Sequence, residues 1–289
     1  MHIALLGTGL LGHAVAKRLH AVGHKVSAYN RSPEKMGALA QAGIRITSQA
    51  AEAMATAEAV LLLLSDTSAI QAVIFGPEES RAIRGRTIIQ MGTIGPQESQ
   101  ALQQAVERLG GRYMEAPVLG SIAEALAGHL LIMVGSTTEL FIEQEALLRS
   151  FGSDVRLIGP VGTAVQLKLA LNQLIAAEIT AFALSLGLVR QAGITVEDFM
   201  ALLRKSALYA PMFDKKLPRL TDRNYDRPNF STRHLLKDVN LVLDAATQAG
   251  LAAGGLEEIR SLLQDTIDLG LGEMDYSAVY ERIDPAGQA

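Results

Sequence analysis

The sequence predicts a doubly wound, mainly parallel α/β domain followed by an all-helical domain. Three observations carry that reading. Short apolar strands alternate with helical stretches through the first part of a 289-residue chain. A glycine-rich turn, GTGLLG, joins the first strand to the first helix. After Gly159-Pro160 the strand pattern stops and only helical stretches follow. The expected domains are therefore 1–160 and 161–289.

In chain order, HIALL (2–6) reads as a buried strand, and an Ala-rich helix runs to about Val22. HKVSAY (24–29) is a second strand, followed by a helix at 33–42 and a strand near 44–46. AVLLLLS (59–65) is uninterruptedly apolar, as a strand covered on both faces should be. A helix at 67–75, a strand at 86–90 and a helix at 96–109 continue the alternation, and RYMEAP, LLIMVG and DVRLIG supply three further strands. Helices are expected at 163–191, 195–205, 208–220, 232–249, 254–269 and 275–282.

Composition excludes several function classes. The chain is 49% hydrophobic, so a large core is available and global disorder is excluded. Its net charge of -4, without a basic stripe, argues against nucleic acid or a membrane surface as partner. With no cysteine, disulfides, cysteine-ligated zinc and thiol catalysis are ruled out, and a cytoplasmic location is expected. The six histidines show no metal-ligand spacing, so no metal is expected, and no Ser-His-Asp order accompanies a nucleophile elbow. The N-terminal apolar run lacks a preceding basic region and is broken by glycines, unlike a signal peptide. Val165 to Val189 could span a bilayer by length, but Gln166, Lys168, Asn172, Gln173 and Glu178 argue for a helix buried in protein.

Gly7-Thr8-Gly9-Leu10-Leu11-Gly12 is G-x-G-x-x-G between a strand and a helix, the Rossmann-type setting for a dinucleotide pyrophosphate. Gly7 permits the tight turn, Gly9 a close approach of backbone to phosphate, and Gly12 the packing of helix on strand; the helix N-terminus supplies N–H groups and its dipole. An NAD site usually places an acid at the end of the second strand, whereas this chain has Tyr29-Asn30-Arg31-Ser32. Arg31 can pair with a 2′-phosphate and Asn30 and Ser32 can hydrogen-bond it, with Lys35 as a weaker helper, so the expected cofactor is NADP(H). Leu63 and Leu64 are expected along the carboxyl end of the sheet, with Asp66 as a helix cap.

Taken together, the motifs resemble the β-hydroxyacid dehydrogenase family, which includes 3-hydroxyisobutyrate dehydrogenases and glyoxylate/succinic semialdehyde reductases. The resemblance runs through GTGLLGHAVAKRL, NRSPEK, MGTIGP, EAPVLGSIAEALAGHLLIMVG, GPVGTAVQLKLALNQL, HLLKDVNL and MDYSAVYE. It implies Thr93 beside the nicotinamide, Lys168 as the catalytic lysine with Asn172 its asparagine, and Lys237 and Asp238 facing the active site. The family's substrate segment P-V-S-G-G is here Pro117-Val118-Leu119-Gly120-Ser121, which leaves Ser121 and the N–H groups around Gly120 as candidates for a substrate carboxylate. His129 stands where a threonine is common and has no assigned role.

Lys168 and Asn172 are one turn apart on a single helix face. By helical pattern alone, Lys168 reads as a lysine snorkelling from a helix edge or paired to an acid; the resemblance makes it the general acid/base. Partial burial and Lys237 are expected to lower its pKa, so that it protonates the alkoxide formed by hydride addition. Asn172 would position Lys168 or bind substrate, Lys237 would attract a carboxylate or complete the cofactor pocket, and Glu178 is expected to be structural. The expected activity interconverts a small aldehyde or keto acid and its hydroxy acid, of the succinic semialdehyde or glyoxylate type. The resemblance also implies a homodimer or homotetramer. Alternatives are an imine reductase, a class that typically carries Asp or Tyr at the position of Lys168, a non-catalytic NADPH-binding protein, or, with fewer basic residues than it would need, a phosphosugar dehydrogenase.

Overall fold

A computed structural model describes residues 1–285. The chain divides into two compact units, the first Met1–Lys168 and the second from Leu169 onward. The first is built on strands β1 (His2–Leu6), β2 (Lys25–Tyr29), β3 (Arg45–Thr47), β4 (Ala59–Leu62), β5 (Thr87–Gln90), β6 (Arg112–Glu115), β7 (Val118–Leu119), β8 (Leu130–Gly135) and β9 (Gly152–Gly159). Their order is β3-β2-β1-β4-β5-β6-β8-β7, with β9 on β8.

From β3 to β6 every pairing is parallel. Helices α1 (Leu10–Ala21), α2 (Gly37–Gln41), α3 (Ala50–Met54), α4 (Thr67–Ile74), α5 (Pro77–Ile83) and α6 (Pro96–Arg108) fall between these strands. Side chains alternate between the faces of the sheet. Ile3 and Leu5 enter one core with Val15 and Leu19 of α1. Ala4 and Leu6 enter another with Met54, Ile70 and Leu102. All four residues of β4 are buried, as the apolar run predicts.

The sheet is not parallel throughout. Glu115 pairs antiparallel with Gly135, and β7 pairs antiparallel with β8 across a link of ten residues holding α7 (Ile122–Ala127). β8 and β9 are parallel again, joined through α8 (Thr138–Arg149). Helices α3, α5, α7 and α8 leave no clear sequence pattern. Three have seven residues or fewer, and α8 exposes Ile142 on its outer face, which blurs its apolar stripe. The expected strand at 59–65 ends at Leu62 because Asp66 already caps α4, accepting from the Ala69 N–H at 2.8 Å.

Helix α9 (Thr163–Gln191) has 29 residues and is long and apolar enough to cross a membrane by length and composition. In the second unit its Ala176, Ile179, Phe182, Ala183 and Leu186 form a core with α10 (Val196–Leu203), α11 (Pro211–Thr221), α12 (Thr232–Gln248), α13 (Gly254–Thr266) and α14 (Tyr280–Ile283). α13 gives way to a wide turn over Ile267–Leu271, where Gly270 adopts φ +84°, so the helix stops short of 269. No named strand occurs beyond β9 among the described residues.

Candidate functional site

The glycine turn has little room except where a ligand needs it. Gly7 lies at φ +102°, and a Cβ there would stand 2.3 Å from the Leu63 carbonyl oxygen. A Cβ on Gly12 would stand 2.0 Å from the Gly7 carbonyl oxygen. Around Gly9 nothing approaches within 4 Å. Gly9 is also the N-cap of α1 and, having no side chain, supplies no cap to the first N–H groups of the helix. Two glycines demanded by packing and one facing open space suit a pyrophosphate at the helix N-terminus.

The end of β2 is tied to this turn. Gly7 N–H donates to the Tyr29 carbonyl at 3.0 Å. Asn30 Nδ2 donates to the hydroxyl of buried Thr8 at 2.8 Å, while Asn30 Oδ1 accepts from the Ser32 N–H at 3.0 Å. The polar atoms of Asn30 thus hold the loop in shape. Exposed Arg31 and the half-buried Ser32 are the groups of this segment presented outward.

Two further loops line the carboxyl ends of the strands. Leu63 N–H still donates to the Leu6 carbonyl at 2.9 Å, so Leu63 and Leu64 leave β4 beside the glycine turn. Gln90 bonds both the N–H and the carbonyl of Gly92, at 2.8 and 2.9 Å, and shapes the turn that presents half-buried Thr93.

The segment expected to bind substrate runs from the end of β7 into the cap of α7. Leu119 is half-buried in β7, opposite Leu131. Gly120 adopts φ +128°, where a Cβ would stand 2.7 Å from a Leu130 methyl. Ser121 caps α7, and both its N–H and its hydroxyl donate to Glu124, the former at 2.8 Å. The hydroxyl proton is therefore directed at Glu124 rather than outward. His129 is exposed.

Sequence reasoning passed over Glu115. It is fully buried at the end of β6 and accepts from the N–H groups of Ala164 at 2.8 Å and Val165 at 3.1 Å, in the first turn of α9. Its other oxygen accepts from the Ser99 hydroxyl, which lies 2.9 Å from the Tyr113 hydroxyl. Burial pushes the Glu115 carboxyl above the ordinary carboxylate range, opposed by Ser99 and by the backbone N–H groups of Gly162, Val165 and Ala164. Burial also raises the Tyr113 phenol well above its usual value. The available signal was an acid closing a strand of a sheet covered on both faces, where a carboxyl group requires partners.

Lys168 is half-buried on α9, one turn before Asn172. Within the second unit, Asn172, Lys237 and Asp238 come together. Asn172 Nδ2 donates to Asp238 Oδ2 at 2.6 Å, and Lys237 Nζ lies 3.0 Å from Asp238 Oδ1. Asn172 and Asp238 are both buried, and Asn172 Oδ1 has no hydrogen-bond partner among the described residues. A second buried pair was not anticipated. Lys216 Nζ contacts both oxygens of Asp275, at 2.7 and 2.8 Å, and stands 4.0 Å from the Tyr276 ring centroid. Burial lowers the Lys216 pKa and Asp275 opposes that fall. This pair joins α11 to the turn preceding α14 in the unit's interior.

Comparison with known proteins agrees with both units. Residues 2–159 match the NAD-binding domain of 6-phosphogluconate dehydrogenase, and residues 162–283 match the NAD-binding domain of NADP-dependent 3-hydroxyisobutyrate dehydrogenase. The chain is 28% identical over 285 residues to glyoxylate/succinic semialdehyde reductase 1 of Arabidopsis thaliana, covering 98% of each. It is 26% identical over 283 residues to the cytokine-like nuclear factor N-PAC of Homo sapiens, covering 96% of this chain but only 50% of that protein. A 3-hydroxyisobutyrate dehydrogenase from Salmonella typhimurium shares the fold, with a TM-score of 0.89 at 21% identity over 98% of this chain and 99% of that one. With a dinucleotide turn that fits its ligand and domain matches along nearly its whole length, the chain belongs to the NAD(P)-dependent β-hydroxyacid dehydrogenase family.

Proposed function

We propose that the protein is an NADPH-dependent reductase interconverting a small aldehyde or keto acid and its hydroxy acid, with Lys168 as general acid/base. The observation that carries this reading is the α9 pair: half-buried Lys168, followed one turn later by Asn172, whose amide is held by buried Asp238. When bound, the reduced nicotinamide supplies hydride to a carbonyl carbon. Negative charge then develops on the carbonyl oxygen, and the Lys168 ammonium donates a proton there; in the oxidation direction the neutral amine accepts it. The Nδ2 atom of Asn172 is engaged, which leaves Oδ1 to accept from substrate or from the lysine. Lys237 is the candidate partner for a substrate carboxylate or the cofactor, and Thr93 the hydroxyl beside the nicotinamide.

Gly7 to Gly12 would hold the pyrophosphate, and Arg31 with Ser32 the 2′-phosphate. Retention of Lys168 favours a carbonyl reductase over an imine reductase. Similarity to the Arabidopsis thaliana reductase supports succinic semialdehyde and glyoxylate as substrates. The deciding experiment measures loss of NADPH absorbance against a panel of small aldehydes and keto acids, repeated with NADH. Turnover of a semialdehyde with NADPH is expected, and equal turnover with NADH would remove the case for Arg31.

We also propose a homo-oligomer. On α9, Leu174, Leu184 and Leu188 are 49%, 54% and 65% exposed and share one face of the helix, which suits burial against a second copy. Light scattering on a Leu188→Glu variant should report a smaller species than the parent.

A further inference from the structure

We propose that Glu115 is a positioning residue for Lys168, the buried strap that sets where the catalytic end of α9 begins. The inference rests on the reading of Lys168 as the proton donor. One oxygen of Glu115 receives two N–H groups of the first helical turn, those of Ala164 and Val165. Such groups have no partner inside a helix and are normally left to water or a cap. Here they meet a side chain from a different element, the end of strand β6, so the helix start is tied to the sheet.

The strap is itself held. The Ser99 hydroxyl of α6 donates to the second oxygen, and Tyr113 meets that hydroxyl. On the opposite side Gly135 leaves the space the carboxyl occupies, since a Cβ there would stand 2.3 Å from Glu115 Oε1. Strands β6 and β8, helix α6 and the start of α9 thus converge on one carboxyl group. Lys168 lies three residues beyond Val165, about 4.5 Å along the helix axis. A helix is stiff over that distance, so a shift or rotation of its first turn passes to the lysine almost undiminished. Proton delivery depends steeply on such placement, and a misplacement of about 1 Å can lower turnover about a hundredfold.

The role belongs to the acceptor oxygen and its reach. Glu115→Gln keeps both, since its amide oxygen accepts from the two N–H groups and its NH₂ can face Ser99. Glu115→Met keeps the volume and removes the acceptor, and Glu115→Ala removes both while leaving room for water. Turnover is measured per active enzyme, counted by NADPH binding. Glu115→Gln should keep kcat within about threefold of the parent. Glu115→Met and Glu115→Ala should lower kcat about tenfold or more, with the KM for NADPH unchanged.

A purely structural role would instead lower yield and melting temperature and leave kcat of the folded enzyme intact. The proposal is overturned if Glu115→Met or Glu115→Ala turns over at the parental rate. It is overturned also if the Gln variant falls as far as they do, or if neither truncation folds. Lys168→Met separates the two readings. If it abolishes turnover while the Glu115 variants stay active, only the strap fails; if it stays active, the assignment of the lysine fails.

Discussion

Asn172 and Asp238, 66 residues apart in sequence, meet inside the helical unit through a 2.6 Å bond from amide nitrogen to carboxylate oxygen. The bond orients the amide, leaving its carbonyl oxygen as the acceptor. It also gives Asp238 a neutral donor on one side and the Lys237 ammonium on the other. Replacing Asp238 by Ala would orphan a buried donor, and the expected loss is about 1–3 kcal/mol of stability, measured by urea unfolding. Turnover of the folded remainder should also fall, because Asn172 loses its fixed orientation. A variant with parental stability would show that this bond contributes little.

Lys168→Met should lower kcat by about 10²–10⁴, the usual scale for loss of a positioned proton donor. The dissociation constant for NADPH should stay near the parental value, because the glycine turn that would hold the pyrophosphate is formed entirely by residues 7–12. Stopped-flow single-turnover kinetics together with a fluorescence titration separate the two effects. Undiminished turnover would transfer the acid role to another group.

Arg31→Ala tests cofactor choice. Hydrogen bonds to a charged group contribute about 1.5–3 kcal/mol, so the KM for NADPH should rise about ten- to a hundredfold. The KM for NADH, which has no 2′-phosphate, should barely change. Asn30 is a poorer target for this question, since its side chain braces Thr8 and the Ser32 N–H and its loss would disturb both cofactors.

Glu115 predicts a pH dependence of stability. Its folded-state pKa lies above the unfolded value, chiefly through burial, so the folded chain holds the proton more tightly. The stabilising contribution is complete below the unfolded carboxyl pKa, about 4.3, and is lost as pH rises through the folded value. Tyr113 is the titratable neighbour, and with its pKa raised it stays neutral across this range. Glu115→Gln removes the titration, so its stability relative to the parent should grow as pH rises from acid toward neutral. Urea midpoints at several pH values check this, and parallel curves for the two proteins would contradict it.

The local signals were legible where a residue type is dictated by its immediate neighbours in the chain. Gly7 and Gly12 were readable because a strand-to-helix turn of that length brings backbone against backbone, and the contacts at both positions are too close for any Cβ. The length of α9 was readable from a long, mainly apolar stretch that no proline interrupts. The short helices α3, α5 and α7 were not, because five to seven residues establish no period.

The sequence by itself determined the succession of strands and the longer helices, the dinucleotide turn and the placing of Lys168 and Asn172 on one helix face, since each depends on spacing along the chain. Only the tertiary structure decided where the polar side chains spend their hydrogen bonds. Asn30 turns to Thr8, Asn172 to Asp238, and Glu115 to the start of α9. The physical reason is that a buried donor or acceptor must be satisfied by whatever folding brings within about 3 Å. For Glu115 and Asn172, those partners lie 49 and 66 residues away in the chain.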